Sequence, residues 1–285
     1  MSRGYITIAQ NSEDIDYLEM SYALALSLKA TQENSNLCVC VDEGTKKLIT
    51  NKHKKVFDAI VDIPWNDDAK GDKWKIHNKW KYPHMTPYDE TIILDSDMIF
   101  TESVDYWWDY LAKKDVWCCT NVKTFRNEDV TSDYYRKKFT QLNLPNVYSN
   151  FTYFNKSELT FEFFRMVELI MVHWNVYFDK FLAGVGQNWM SADVAYALAI
   201  QLLDIEAETC DYDIKDVPTF VHMKSMVQNV PESMIDSNWT KSITSELGDD
   251  LQVKIGNFTQ TLPVHYVEKN WMNDHKIKQL EDAVL

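Results

Sequence analysis

The chain has 285 residues, 45% of them hydrophobic and 13% aromatic, enough for one large core or one core with a smaller lobe. Its formal net charge of −14 argues against broad electrostatic binding to nucleic acid, which needs Lys and Arg to neutralise phosphates, although a local basic groove is compatible with it. Glycine and proline number seven each, which excludes long flexible or low-complexity segments. The five cysteines form no Cys-x-x-Cys zinc pattern and read as reduced, buried thiols. No apolar run approaches the roughly 18 residues of a membrane span, and Met1 to Ile8 lacks signal architecture, so a soluble, cytoplasmic protein without membrane partners is expected.

In chain order, Tyr5–Ala9 reads as a strand, and Ser12 with Asp14 as the start of a helix carrying Tyr17, Met20, Ala23, Leu24 and Leu28 at helical spacing. Leu37–Val41 is a second strand ending at Asp42, residues 45–55 a basic helix, and Ala59–Ile63 a third strand. This alternation is the grammar of a parallel α/β sheet. Asp72–Tyr82 is predicted as a helix, stopped by Pro83 and Pro87, on which Lys75 and Lys79 share a face. A solvated basic face is the ordinary use of such residues; lysines aimed at phosphates are the functional one.

Thr91–Leu94 reads as a buried strand that runs into Asp95-Ser96-Asp97 before apolar character resumes at Met98–Phe100. Two carboxylates at the end of a core strand need a cation unless one caps a turn and the other is solvated. Open α/β sheets bind ligands beyond the carboxyl ends of their strands. A hard divalent ion, Mn²⁺ or Mg²⁺, held by Asp95 and Asp97 with phosphate oxygens completing its coordination suits that place.

Further on, Val104–Leu111 reads as an aromatic-packed helix and Val116–Thr120 as a strand. Residues 121–147 form a polar, basic excursion expected to face an acceptor. Tyr148–Phe154 is a strand containing Asn150, followed by a long helix from about Ser157 to Phe181. The loop Gly184–Asp193 enters a helix that Ser191 could cap, with Asp193 in its first turn, where the helix dipole alone would favour it. His222 and His265 end two late β-like runs, followed by Lys224 and Lys269. Trp107, Trp108 and Trp189 could stack on a sugar or base, but core packing is the commoner use.

The order of strand, lysine-bearing segment, Leu94-Asp95-Ser96-Asp97, Asn-bearing strand, helix-opening Asp193 and final His265-Tyr266…Lys269-Asn270-Trp271 resembles the GT-A fold glycosyltransferases. The resemblance is nearest to family 8, the retaining enzymes related to glycogenin and bacterial galactosyltransferases. It implies a single Rossmann-like GT-A domain over residues 1–285, with a mostly parallel mixed sheet flanked by helices. Residues 1–120 would form the nucleotide-sugar half and 121–285 the acceptor half. The same resemblance implies a metal at Asp95, Asp97 and His265, with His222 the alternative third ligand, and Lys79 and Lys269 at the diphosphate of a UDP-sugar. Ala9, Gln10, Asn11 and Asp42 would meet the uridine, and Asp193 and Asn150 would serve catalysis at the reacting sugar. The family's His-x-x-Gly-x-x-Lys-Pro-Trp run is shorter here, lacks the glycine, and has Asn270 where proline is expected. The phrasing from Trp74 to Asp97 also resembles bacteriophage enzymes that attach arabinose or glucose to hydroxymethylcytosine in DNA, which implies a modified base as acceptor and the host cytoplasm as location. A catalytically silent nucleotide-sugar-binding protein of the same fold and a nucleotidyltransferase are the alternatives.

Overall fold

The computed structural model describes residues 1–72, 74–130, 136–184, 189–212, 217–225 and 238–285. A six-stranded sheet forms the centre. Its strands are β1 (Arg3–Ala9), β2 (Leu37–Val41), β3 (Ala59–Asp62), β4 (Glu90–Leu94), β6 (Val116–Cys119) and β8 (Tyr148–Asn155). Their spatial order is β3-β2-β1-β4-β8-β6. All run parallel except β8, which lies antiparallel between β4 and β6. The protein is therefore mixed α/β with a mostly parallel sheet. Because β8 follows residue 121 yet sits between β4 and β6, the two halves of the chain share one sheet.

Side chains alternate across this sheet, as the two-residue period of a strand requires. Tyr5, Ala9, Ile92 and Leu94 enter the core on one face; Ile6, Ile8, Cys38, Cys40 and Ile93 enter the core on the other. The first face is covered by α1 (Tyr17–Thr31), on which the last helix, Asp274–Val284, also packs. The second is covered by α7 (Glu158–Val172) and α9 (Ala192–Leu203). Ser191 caps α9, its side chain accepting from Val194 N.

Several expected elements differ. Helix α1 starts from Asp16, whose carboxylate caps Glu19 N, rather than from Ser12 or Asp14. The basic segment 45–55 divides into α2 (Glu43–Lys46), capped by Asp42, and α3 (Asn51–Val56). Asp72–Tyr82 is not one helix. Residues 74–78 are irregular, and a 3₁₀ turn at Lys79–Lys81 leads into α4 (Tyr82–Met85). Pro83 sits in the first turn of α4, where its missing N–H costs nothing, so it opens this helix instead of ending one. The aromatic helix shortens to α5 (Trp107–Leu111), with Trp107 and Trp108 buried. After a six-residue α6 (Lys137–Leu142) and after α7, the chain breaks at His173 into α8 (Trp174–Tyr177) and a π-turn over Phe178–Leu182. The centre of the 121–147 excursion (131–135) and of the loop before α9 (185–188) lies outside the described residues.

Two small sheets stand beside the main one. The first pairs β5 (Met98–Ile99), β7 (Val122–Lys123), β9 (Phe220–His222) and β13 (Val264–His265), in the order β5-β13-β9-β7. The second is β10 (Ser245–Leu247), β11 (Val253–Ile255) and β12 (Phe258–Thr259).

Candidate metal centre and active site

Connections from β1 lead outward through β2 to β3, while β4 lies on the other side of β1. The strand order thus reverses between β1 and β4, the place where open α/β sheets bind ligands. Asp95-Ser96-Asp97 follows β4 at this point, and Gln10 follows β1.

His265 arrives there by strand pairing. Immediately after the acidic turn, β5 pairs antiparallel with β13, setting His265 opposite Met98, and Tyr266 N donates to Asp97 O at 3.1 Å. Ligand atoms of Asp95, Asp97 and His265 consequently lie within 4.8 Å of one another, the one such group among the described residues. His222 aligns with His265 in the neighbouring strand, with ring centroids 5.1 Å apart, but its Nδ1 lies 2.8 Å from Ser225 Oγ and it stands outside the group. Burial first, then the charges of His265 and Lys224, holds the His222 imidazole well below its ordinary pKa, so it is neutral.

Charge is balanced locally. His265 Nε2 lies 3.0 Å from Asp97 Oδ2, and Lys269 Nζ donates to the same oxygen. Lys79 Nζ donates to Asp95 Oδ1 at 2.6 Å. Burial alone would raise the Asp97 carboxyl; His265 and Lys269 outweigh it and hold the group well below the carboxylate range, so it remains ionised. Lys269 returns to the cleft by a tight turn in which Val267 adopts φ +52°, a left-handed conformation that a β-branched residue rarely takes.

A cleft of about 130 Å³ opens over these groups, lined by Thr7, Ile8, Tyr17, Trp74, Lys75, Ile76, Lys79, Tyr82, Asp95, Ser96, Asp97 and Lys269. Lys75 and Lys79 both reach it, though from an irregular stretch and a 3₁₀ turn instead of a helix face, and Lys75 Nζ also donates to Ala69 O at 2.9 Å. Two oxygen donors and one nitrogen donor suit Mn²⁺ or Mg²⁺, with room left for phosphate oxygens or water. Thr7 Oγ1, buried and without a hydrogen-bond partner among the described residues, lines the same cleft.

Beside it lies a partly buried polar network. Gln10 donates to Asp67 Oδ1 at 3.0 Å and to Asp42 Oδ2 at 3.3 Å, and accepts from Asn78 at 2.7 Å. Asp42 additionally caps α2. Asn11 joins elsewhere, donating through its backbone N–H to Thr45 and bridging Asp16 and Leu18 N at the start of α1. Ala9 is wholly buried at the end of β1.

Asn150 and Asp193 are linked through consecutive residues of β8. The Asn150 amide lies 3.1 Å from His265 Nδ1. Its neighbour Ser149 donates to Asp193 Oδ1 from both N (2.9 Å) and Oγ (2.7 Å), while Arg136 Nη1 donates to Asp193 Oδ2 at 2.6 Å. Burial would raise the Asp193 carboxyl, but Arg136 and the Ser149 hydrogen bonds hold it below its ordinary value. Sequence reading did not single out Arg136, Asp67, Asn78, Tyr17 or Trp74. Arg136 had a signal as one of the basic residues in the 121–147 excursion, and Trp74 and Asn78 lay in the stretch that carries Lys75 and Lys79.

No protein-family model matches the chain, and no curated protein matches it. Among solved structures it is similar to mouse xyloside xylosyltransferase 1 in its apo form, with 12% identity over 74% of this chain and 84% of that one and a TM-score of 0.48. It is also similar to core-mannan synthase A of Aspergillus fumigatus in a Mn/GDP form, with 11% identity over 77% and 73% and a TM-score of 0.41. The glycosyltransferase GlyE of Streptococcus pneumoniae TIGR4 is similar with 12% identity and a TM-score of 0.39; the alignment takes in 75% of this chain and 46% of GlyE.

Proposed function

We propose that the protein is a metal-dependent glycosyltransferase of the GT-A type that moves a sugar from a nucleotide-sugar donor to a hydroxyl acceptor. One observation carries this reading: Asp95, Asp97 and His265 converge at the strand-order reversal, flanked by Lys79 and Lys269 in one cleft. A divalent ion bound there supplies Lewis acidity, stabilising negative charge that grows on a diphosphate as its bond to the sugar breaks. The chain's own groups do the rest. Asp95, Asp97 and His265 would hold the ion, and Lys79 and Lys269 add positive charge at the diphosphate of the donor. Asn150 fixes the His265 ring, its side-chain Nδ2 lying 3.1 Å from His265 Nδ1. The Gln10–Asp42–Asp67–Asn78 network meets the base, with Ala9 and Asn11 shaping that wall. Asp193, held by Ser149 and Arg136, orients the reacting sugar or the acceptor hydroxyl.

The family 8 resemblance supports a UDP-sugar donor and retention at the anomeric carbon. The phage-type resemblance supports hydroxymethylcytosine in DNA as acceptor, and the net charge of −14 weighs against it. The test is Mn²⁺-dependent hydrolysis across a panel of nucleotide sugars. Wild type is expected to release a nucleoside diphosphate from at least one of them, and release without added metal, undiminished by Asp97→Asn, would refute the proposal.

A further inference from the structure

We propose that Lys79 and Lys269 are exchange partners of the metal: each holds one ligand carboxylate until a divalent cation takes it, and the freed ammonium then binds the diphosphate. The inference rests on the reading of Asp95, Asp97 and His265 as a metal site and extends it to the order in which charges assemble.

Lys79 Nζ donates to Asp95 Oδ1 at 2.6 Å, and Lys269 Nζ donates to Asp97 Oδ2, the oxygen that also faces His265 Nε2. A divalent ion needs lone pairs of the same two carboxylates. An ammonium and a dication crowded onto one carboxylate repel at short range in a site that water screens poorly, since Asp97 is only 2% exposed. The two lysines therefore oppose the binding of metal alone. Charge counting gives the next step. Two carboxylates and two ammoniums sum to zero. When the dication replaces the ammoniums at the carboxylates, the two carboxylates, the dication and the two freed ammoniums leave two positive charges over. A sugar nucleotide's pyrophosphate carries one negative charge on each phosphate and matches that surplus. The lysines can make the move, because each ammonium sits on a flexible four-carbon stem and both side chains already line the cleft that a metal-bridging diphosphate would enter.

The arrangement predicts that metal alone binds weakly, and that metal and diphosphate bind cooperatively. Mn²⁺ binding would be measured by electron paramagnetic resonance for wild type, Lys79→Met, Lys269→Met and Asp97→Asn, with melting curves to confirm folding. Each lysine variant is expected to bind Mn²⁺ alone about fivefold more tightly than wild type, because a competitor is gone. Inorganic pyrophosphate, added as its Mn²⁺ complex, is expected to bind each of them about tenfold more weakly, because a charged phosphate contact is gone. Lys79→Arg, which keeps the charge, should resemble wild type in both assays. Mn²⁺ affinity unchanged or lowered in both methionine variants would overturn the exchange, as would unchanged pyrophosphate affinity. Failure of wild type itself to bind Mn²⁺ above the Asp97→Asn background would instead overturn the metal site beneath it.

Discussion

Asp97 and Asp193 are two carboxylates kept ionised against burial, yet they are satisfied in contrasting ways. Asp193 accepts from a backbone N–H and a hydroxyl of Ser149 and from the Arg136 guanidinium, which is itself fixed by Asn146 and Val147 O and stacked against Phe139 and Tyr148. Asp97 meets the side chains of Lys269 and His265, and Lys269 is the more mobile of the two by its stem length. The first arrangement is a fixed joint in the fold. The second is made of mobile side chains, which the proposed exchange with a metal and a charged ligand would use.

The strongest way to break this comparison is to neutralise each carboxylate. Asp97→Asn should lower Mn²⁺-dependent turnover of a sugar nucleotide roughly 1,000-fold. Its melting temperature should stay close to wild type, because Lys269 can turn to solvent. Equal activity loss with a collapse in stability would make Asp97 a structural residue like Asp193.

Removing the partner sharpens the other side. Arg136→Met leaves Asp193 partly buried without its countercharge and should cost about 3 kcal/mol in denaturant unfolding. Because the Asp193 carboxyl is held below its ordinary value, its stabilisation is fully present above the unfolded carboxyl range and is lost as pH falls through the folded value. Wild type should therefore lose more stability than Arg136→Met between neutral pH and about pH 2, and parallel acid profiles would remove Arg136 from this role.

Smaller effects probe the supports. Asn150→Ala should weaken Mn²⁺ binding about tenfold while sparing the fold, as loss of a hydrogen bond that orients a ligating histidine does elsewhere. Val267→Gly, which relieves the left-handed conformation of a β-branched residue, should raise stability by about 1 kcal/mol. A lowered melting temperature would show that the turn is held by the Val267 side chain instead.

The sheet was legible in the sequence because its strands are short runs rich in β-branched and aromatic residues, and Asp95 and Asp97 stood out as charges at the end of one. Helix α9 was legible through Ser191. The stretch 72–82 misled because its lysines sit at helical spacing. There, side-chain bonds decide the backbone: Lys81 reaches Asn66 O and Asn78, and Asn78 reaches Gln10 and Asp67. The placement of His265 over His222 depends on the β5–β13 register, and the Arg136–Asp193 pair on a contact between distant segments. Neither has a local signature, since periodicity reports only on neighbours along the chain.

The joint between Asp97 and the strand bearing His265 has a bearing on biosynthesis. Asp97 and Lys269 are 172 residues apart, so the cleft's last cation donor is translated long after the acidic turn. A nascent chain can lay down the first four strands early, but it cannot bring Lys269 to Asp97 until residue 269 has cleared the ribosome. Under the proposed function, binding of a divalent ion should therefore appear late and abruptly during synthesis, and a ribosome stalled before Val264 would display the sheet without the complete Asp95, Asp97 and His265 group.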